Sequence, residues 1–311
     1  MTLSILSGSA HLQLGQVIGE DLGVEPTLCE VERFPDGELR VKVGPLQEGD
    51  VYIIQTTGPP VNDHMVELLL LIDACRRESA GRITAVIPYL GYARQDRRNA
   101  PGQSVAAQVF ARAITTIGAD RVVVVDPHTP VSETLFDVPV EMLTAVPVLA
   151  RALERHTRED TVIVAPDLGA VKLAEHYGSI LGKTVVIVHK TRHSGTEVSV
   201  QEVVGEVAGR HVVIVDDMIS TGATIRAAAS AVLERGALPD LVVAATHGLL
   251  VPANNEDPVF PNIQRVLITD SVAARSVPGV PLEVVSIAPL LADAIERLHQ
   301  RRPLDDLLVR S

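Results

Sequence analysis

The residues best equipped for chemistry lie in one run, Val212-Val213-Ile214-Val215-Asp216-Asp217-Met218-Ile219-Ser220-Thr221-Gly222-Ala223-Thr224. Aliphatic residues that read as a buried strand lead into two adjacent carboxylates, a Ser/Thr/Gly loop and then a helix. Backbone N–H groups and hydroxyls where a loop enters a helix make an anion site. Paired carboxylates accept hydrogen bonds from vicinal hydroxyls. Acceptors for a diol and donors for a phosphate together match a sugar phosphate. The bland alternative is a strand–turn–helix in which Asp and Thr merely cap the backbone. It leaves two adjacent carboxylates at a buried strand without a partner, which is costly. Asp216, Asp217, Ser220, Thr221, Gly222, Ala223 and Thr224 are therefore read as a ribose 5-phosphate site.

Other candidates are weaker by residue type alone. Arg94, Gln95, Asp96 and Arg97 follow a strand, Tyr89 and a glycine turn. Guanidiniums, an amide and a carboxylate in one loop suit a nucleotide triphosphate, although charge spacing by itself fits a solvated loop. Phe34, Asp36 and Glu38 flank a Pro-Asp-Gly turn between two strands, and turn chemistry alone makes them a hairpin. His128 lies just past the strand that ends at Asp126, and Asp167 occupies the analogous place after strand 161–165. Ligand chemistry in α/β folds gathers at such strand ends. Asp167 is the better metal candidate on chemical grounds, because hard cations prefer oxygen, whereas a lone His such as His128 is usually structural or solvated, or touches phosphate. Lys190 and Arg192 open a polar stretch running through Thr196, which charge pattern alone makes an ordinary basic loop. His11, His64, His156 and His176 fit surface helix positions and are assigned no role.

Alternating elements must position these residues. Strands are expected over 3–6, 51–55, 82–87 and 121–125, with helices over 11–22, 61–78 and 104–117. The alternation restarts with helix 146–156, strand 161–165, helix 169–181 and strand 184–188. Strands 211–215, 241–246 and 266–269 follow, with helix 224–235 between the first two and a closing helix over 288–299. Val122–Asp126 echoes Val212–Asp216, each a buried strand ending in Asp. The echo suggests a duplicated α/β unit, with the boundary placed near Thr144: 1–144 and 145–311.

Composition limits the function classes. The net charge of −12 argues against a nucleic-acid partner, which demands clustered Lys and Arg. With no Trp and 3% aromatic residues, Val, Ala, Leu and Ile must form the core, as suits parallel sheets covered by helices. The two cysteines, Cys29 and Cys75, show no pairing pattern and read as reduced, buried thiols. No signal peptide and no membrane-length apolar run is apparent, so a cytoplasmic protein is expected.

The 212–224 run resembles the phosphoribosyl-pyrophosphate loop of the type I phosphoribosyltransferase fold. The whole chain resembles the ribose-phosphate pyrophosphokinase family through Arg33-Phe34-Pro35-Asp36-Gly37-Glu38, Asn62-Asp63, Gly81–Tyr89, Gly91–Arg98, Phe136–Val140 and Ala165–Gly169. That resemblance implies two similar α/β domains, each a mainly parallel sheet flanked by helices. It implies attack of the ribose 5-phosphate 1-hydroxyl on the β-phosphorus of ATP, with Mg2+ and release of AMP. Arg94, Gln95, Asp96 and Arg97 then serve ATP, Phe34 stacks on its base, and Asp36 and Glu38 accept from the base edge. His128 and Asp167 become metal residues. Lys190 and Arg192 become catalytic residues on a flap that closes over the transferring group. A homo-oligomer of dimers assembling to a hexamer, with a shared ATP site, is also implied.

Several positions depart from the family pattern. The loop commonly reads Asp-Thr-Gly-Gly-Thr, whereas Ser220 removes a charge here and Ala223 adds a methyl. Pro127-His128-Thr129-Pro130 stands where Leu-His-Ala is usual, and Thr191 replaces a basic residue. The loop Leu46-Gln47-Glu48-Gly49-Asp50 lacks the Arg common in phosphate- and ADP-regulated members, so weakened regulation is expected. A non-catalytic regulatory subunit is the competing reading, but Lys190, Arg192, Asp216 and Asp217 all stand. A phosphoribosyltransferase or DNA-binding regulator would lack the Arg94–Arg98 and Phe34–Glu38 segments.

Overall fold

The computed structural model describes residues 2–46, 48–129, 132–191, 200–253 and 260–309. The chain divides into two compact units, one of residues 1–144, 271–273 and 286–311, the other of residues 145–270 and 274–285.

The first unit is built on β1 (Thr2–Ser7), β4 (Gly49–Ile54), β5 (Arg82–Ile87), β6 (Arg121–Val125) and β7 (Val140–Leu143), parallel and in that spatial order. Between β1 and β4 come helix α1 (Leu12–Leu22) and an antiparallel pair, β2 (Cys29–Arg33) and β3 (Leu39–Val43). Helices α2 (Val61–Arg77), α3 (Ala106–Ile117) and the short α4 (Ser132–Leu135) complete the crossovers. Residues Met65, Leu68, Leu71, Ile72 and Cys75 form one buried stripe of α2, spaced for a single helix face. That stripe packs on Val51, Ile53, Ile83, Val122 and other residues of one sheet face. Asp63 in the first turn of α2 and Arg76 and Arg77 in its last complement the helix dipole.

The second unit holds α5 (Val146–Leu153), β8 (Val162–Ala165), α6 (Val171–Leu181), β9 (Thr184–Thr191), β10 (Val200–Val204), β11 (Val212–Ile219), α7 (Ala223–Glu234), β12 (Leu241–Gly248), β13 (Ile263–Thr269) and β14 (Leu282–Val285). Their spatial order is β10-β9-β8-β11-β12-β13-β14. All neighbours are parallel except β9 and β10. The chain builds outward from β8 toward β10, then returns and builds the other way from β11. The crevice beyond the carboxyl ends of β8 and β11 is thus a topological switch point. The last helix, α8 (Ala288–His299), returns to the first unit and packs on α1.

Each unit is therefore a mainly parallel sheet flanked by helices, as the alternation of elements implies. Four local expectations are corrected. The strand expected over 211–215 continues to Ile219, because β12 pairs with it as far as Gly248. The strand expected over 184–188 continues to Thr191, because β10 pairs alongside it. Helix 146–156 changes to 3₁₀ geometry at Glu154, and the helix expected from 169 opens with a 3₁₀ turn, Leu168–Ala170.

Candidate active site

The two carboxylates stand on β11 itself, past the point where its neighbour β8 stops pairing. β8 pairs only with Val212, Val213 and Ile214, whereas β12 accompanies β11 past Asp216. One side of the Asp216–Asp217 segment is thereby left open at the switch point. Both residues are half-buried. The Asp217 amide donates to Asp216 Oδ1 at 2.9 Å.

The loop that follows is held from behind. The Leu249 and Leu250 amides donate to Ile219 O at 2.9 and 3.1 Å, and the Val251 amide donates to Ser220 O at 3.0 Å. These bonds take the carbonyl side of the loop. Arg226 Nη1 donates to Thr221 O at 2.8 Å and braces the same side. Gly222 caps α7 with φ at +73°, and a Cβ there would meet the Phe260 ring at 2.6 Å. Only glycine fits both demands. Gly222 has no side chain with which to cap α7, and the first N–H groups of a helix have no intrahelical acceptor. Ala223 and Thr224 are exposed, which places the Ala223 methyl away from the packed side.

Asp167 follows β8 as the cap of the Leu168–Ala170 turn. Its Oδ1 accepts from the Gly169 and Ala170 amides at 2.8 and 3.1 Å, which leaves Oδ2 for other work. The structure thus brings Asp167 to the same crevice as Asp216 and Asp217. Burial, the charge of Asp217 and, more weakly, that of Asp167 push the Asp216 carboxyl up to about 8. Among the described residues, Asp217 and Asp167 are the charged side chains that act on Asp216, and both are acids. Such a site favours a cation or hydroxyl donors. Among the described residues no group of three His, Cys, Asp or Glu is arranged to hold a metal alone. A magnesium ion that keeps waters and substrate oxygens does not require one.

Lys190 lies within β9, opposite Gln201 of β10, rather than in a loop as its polar surroundings suggest. Arg192 lies outside the described residues.

The remaining candidates belong to the first unit. Phe34, Asp36 and Glu38 cluster on the turn between β2 and β3. The Phe34 amide donates to Glu38 O at 2.8 Å, the Gly37 amide to Phe34 O at 2.9 Å, and the Glu38 amide to Asp36 Oδ1 at 3.1 Å. Phe34 is 37% exposed, with the Arg40 guanidinium 5.7 Å from its ring centre. An exposed phenyl on a braced turn is a stacking surface. Arg94, Gln95, Asp96 and Arg97 follow β5 after a tight turn. The Gly91 amide donates to Thr57 Oγ1 at 2.7 Å, and a Cβ at Gly91 would lie 2.7 Å from Thr57 O. Arg94, Gln95 and Arg97 are exposed, while Asp96 sits below and pairs with Arg97 Nε at 3.6 Å. His128 is exposed beyond β6, after Asp126, whose φ is +35°. The four histidines expected at surface positions are instead half-buried. His11 caps α1 and His64 bonds Gly58 O.

Similarity to known proteins follows this geometry along the chain. Residues 3–118 match the N-terminal domain of ribose phosphate pyrophosphokinase, and residues 140–263 match the phosphoribosyl transferase domain. A ribose-phosphate pyrophosphokinase of Thermosipho africanus is 38% identical over 301 residues, spanning 96% of this chain and 95% of the relative. The chain belongs to the ribose-phosphate pyrophosphokinase family.

Other members show the same extent of similarity. The Gloeobacter violaceus ribose-phosphate pyrophosphokinase is 39% identical across 96% of this chain and 90% of its own length. The crystal structure of phosphoribosylpyrophosphate synthetase from Mycobacterium smegmatis superposes with a TM-score of 0.87 at 34% identity, covering 97% of this chain and all of that one. As a ribose-phosphate pyrophosphokinase family member, the chain is a transferase of nucleotide precursor synthesis. No described helix is long and apolar enough to cross a membrane.

Proposed function

We propose that this chain transfers the β,γ-pyrophosphoryl group of ATP to the 1-hydroxyl of ribose 5-phosphate, giving 5-phosphoribosyl 1-pyrophosphate and AMP. The observation that carries the reading is a glycine-capped helix N-terminus, beside paired carboxylates, at the switch point of a chain that matches the family over 96% of its length.

In this reading the backbone amides of Ser220–Thr224 hold the 5-phosphate. Asp216 and Asp217 accept from the ribose 2- and 3-hydroxyls and fix the ring, so that the 1-hydroxyl faces the β-phosphorus. Phe34 stacks on adenine, Asp36 and Glu38 accept from its edge, and Arg94, Gln95 and Arg97 engage the phosphates, with Asp96 orienting Arg97. The 1-hydroxyl oxygen forms a bond to the β-phosphorus as the α,β-bridging bond breaks, and AMP leaves. Lys190 and Arg192 stabilise the charge on the transferring group. Positioning and charge neutralisation supply most of the acceleration in such transfers.

The residues fit magnesium. Asp167 offers Oδ2 beside an acid-rich edge, and His128 offers a nitrogen, the poorer partner for a hard cation. When bound, the ion offsets phosphate charge. The reading includes a cytoplasmic homo-oligomer in which dimers build a hexamer.

The test is formation of AMP from ATP and Mg2+ with and without ribose 5-phosphate. Sugar-dependent AMP release is expected. A folded protein that binds ATP and releases no AMP contradicts the proposal.

A further inference from the structure

Helix α2 opens on Asn62 and Asp63, which the reading above leaves without a role. Asp63 Oδ2 accepts from Arg33 Nη2 at 2.7 Å, and the same guanidinium donates from Nη1 to Gly37 O at 3.0 Å. Arg33 therefore ties the turn that carries Phe34, Asp36 and Glu38 to the start of α2. One residue earlier, Asn62 Oδ1 accepts from the Tyr92 hydroxyl.

Tyr92 is itself held in an unusual state. Its φ is +63°, a region a bulky side chain rarely occupies, so its surroundings must enforce it. Its ring stacks on Phe110 with centres 4.4 Å apart and planes inclined by 27°. The Gln95 amide donates to Tyr92 O at 2.8 Å, so the placement of Tyr92 sets where Arg94 and Gln95 emerge. Behind this first turn, α2 is anchored by Met65 and Leu68, both fully buried.

We propose that Asn62 and Asp63 are positioning residues for the nucleotide. The first turn of α2 holds the Phe34–Glu38 turn with one side chain and the Tyr92–Arg97 turn with the next. The inference rests on the assignment of both turns to ATP. Arg33 and Asp63 are 49% and 42% exposed, so their pair adds little to fold stability. Its effect falls on where two otherwise exposed turns sit, and small misplacements of binding groups cost rate and affinity out of proportion to the bond lost.

The test is steady-state kinetics of the full chain with both substrates, comparing wild type with Asp63→Ala, Arg33→Ala, the double variant, Asp63→Glu and Tyr92→Phe. The ATP KM is expected to rise about threefold in Asp63→Ala, Arg33→Ala and Tyr92→Phe, with the ribose 5-phosphate KM and the unfolding midpoint unchanged. The double variant should be no worse than the worse single one, as for two residues acting through one bond. Asp63→Glu should recover part of the loss. An unchanged ATP KM, additive effects of Asp63→Ala and Arg33→Ala, or equal shifts in both KM values with a lowered midpoint overturns the inference. Calorimetric ATP binding separates the two levels. A wild type that binds no ATP removes the underlying assignment and this proposal with it. A wild type and variants that bind ATP equally well remove the positioning role alone.

Discussion

Asp216 and Asp217 are consecutive residues of one strand, and the amide of the second donates to the carboxylate of the first at 2.9 Å. Both acids stand beyond the last residue that β8 pairs, Ile214, and so share one open edge, and burial together with the Asp217 charge raises Asp216 to about 8. Between the ordinary carboxylate range and pH 8, the ligand-free folded chain therefore holds a proton that the unfolded chain has lost. The folded state binds more protons there, so stability falls as pH rises through that window. Denaturant melts at pH 5.5 and 8.5 should show lower stability at the higher pH. Asp216→Asn should flatten the difference.

Lys190 stands in β9 opposite Gln201, at the end of a strand pair whose partner β10 begins at Val200. A cation that acts on the transferring group works in the transition state more than in the ground state. Lys190→Ala should lower kcat by about a hundredfold or more while moving either KM far less. A kcat within twofold of wild type removes Lys190 from the catalytic set.

Much of the fold is legible because its core strands are uniform. Val122–Val125 is a β-branched run buried along its length, and the bounds of its strand, Arg121–Val125, are read correctly. Strands fail to be read where polarity interrupts an apolar run. β11 passes through Asp216 and Asp217, and β9 through His189 and Lys190; in each case a neighbouring strand, not local composition, continues the pairing. The short strands β7 and β14 lie at one margin of their sheets and are only partly buried, so neither carries a strong pattern. The strand, loop and helix that carry the proposed sugar-phosphate site are legible from residue type. The exposed Phe34 turn is legible only through family resemblance, because a Pro-Asp-Gly turn is common. The Asn62–Tyr92 and Arg33–Asp63 contacts each span 30 residues and leave no local signal.

Asp50 is 2% exposed and accepts from Arg82 Nη2 at 2.7 Å and from His299 Nδ1 at 2.8 Å. It joins β4, β5 and α8 within the first unit, and its Oδ1 has no partner among the described residues. Removing Arg82 leaves a buried carboxylate with only the histidine beside it. Arg82→Ala should cost about 3 kcal/mol of stability, read as a lowered urea midpoint. A loss within about 0.5 kcal/mol, the range of ordinary surface substitutions, contradicts this role.

The same Asp50 closes the Leu46–Asp50 segment, which contains no Arg. Activation by inorganic phosphate and inhibition by ADP at a separate site are accordingly expected to be weak. Initial rates at saturating substrates should change less than about twofold across a phosphate titration, a range worth under 1 kcal/mol of coupling. Strong, saturable activation contradicts the expectation.

The most direct test of the account is phosphorus NMR of ATP and Mg2+ incubated with the protein and ribose 5-phosphate, alongside Asp216→Asn. The α, β and γ signals of ATP should disappear together, the α replaced by AMP and the β and γ by a pyrophosphoryl pair on the sugar, with the variant slowed about tenfold or more at limiting sugar. Accumulation of ADP or free phosphate, without AMP or a sugar-bound pyrophosphoryl group, would contradict the transfer itself.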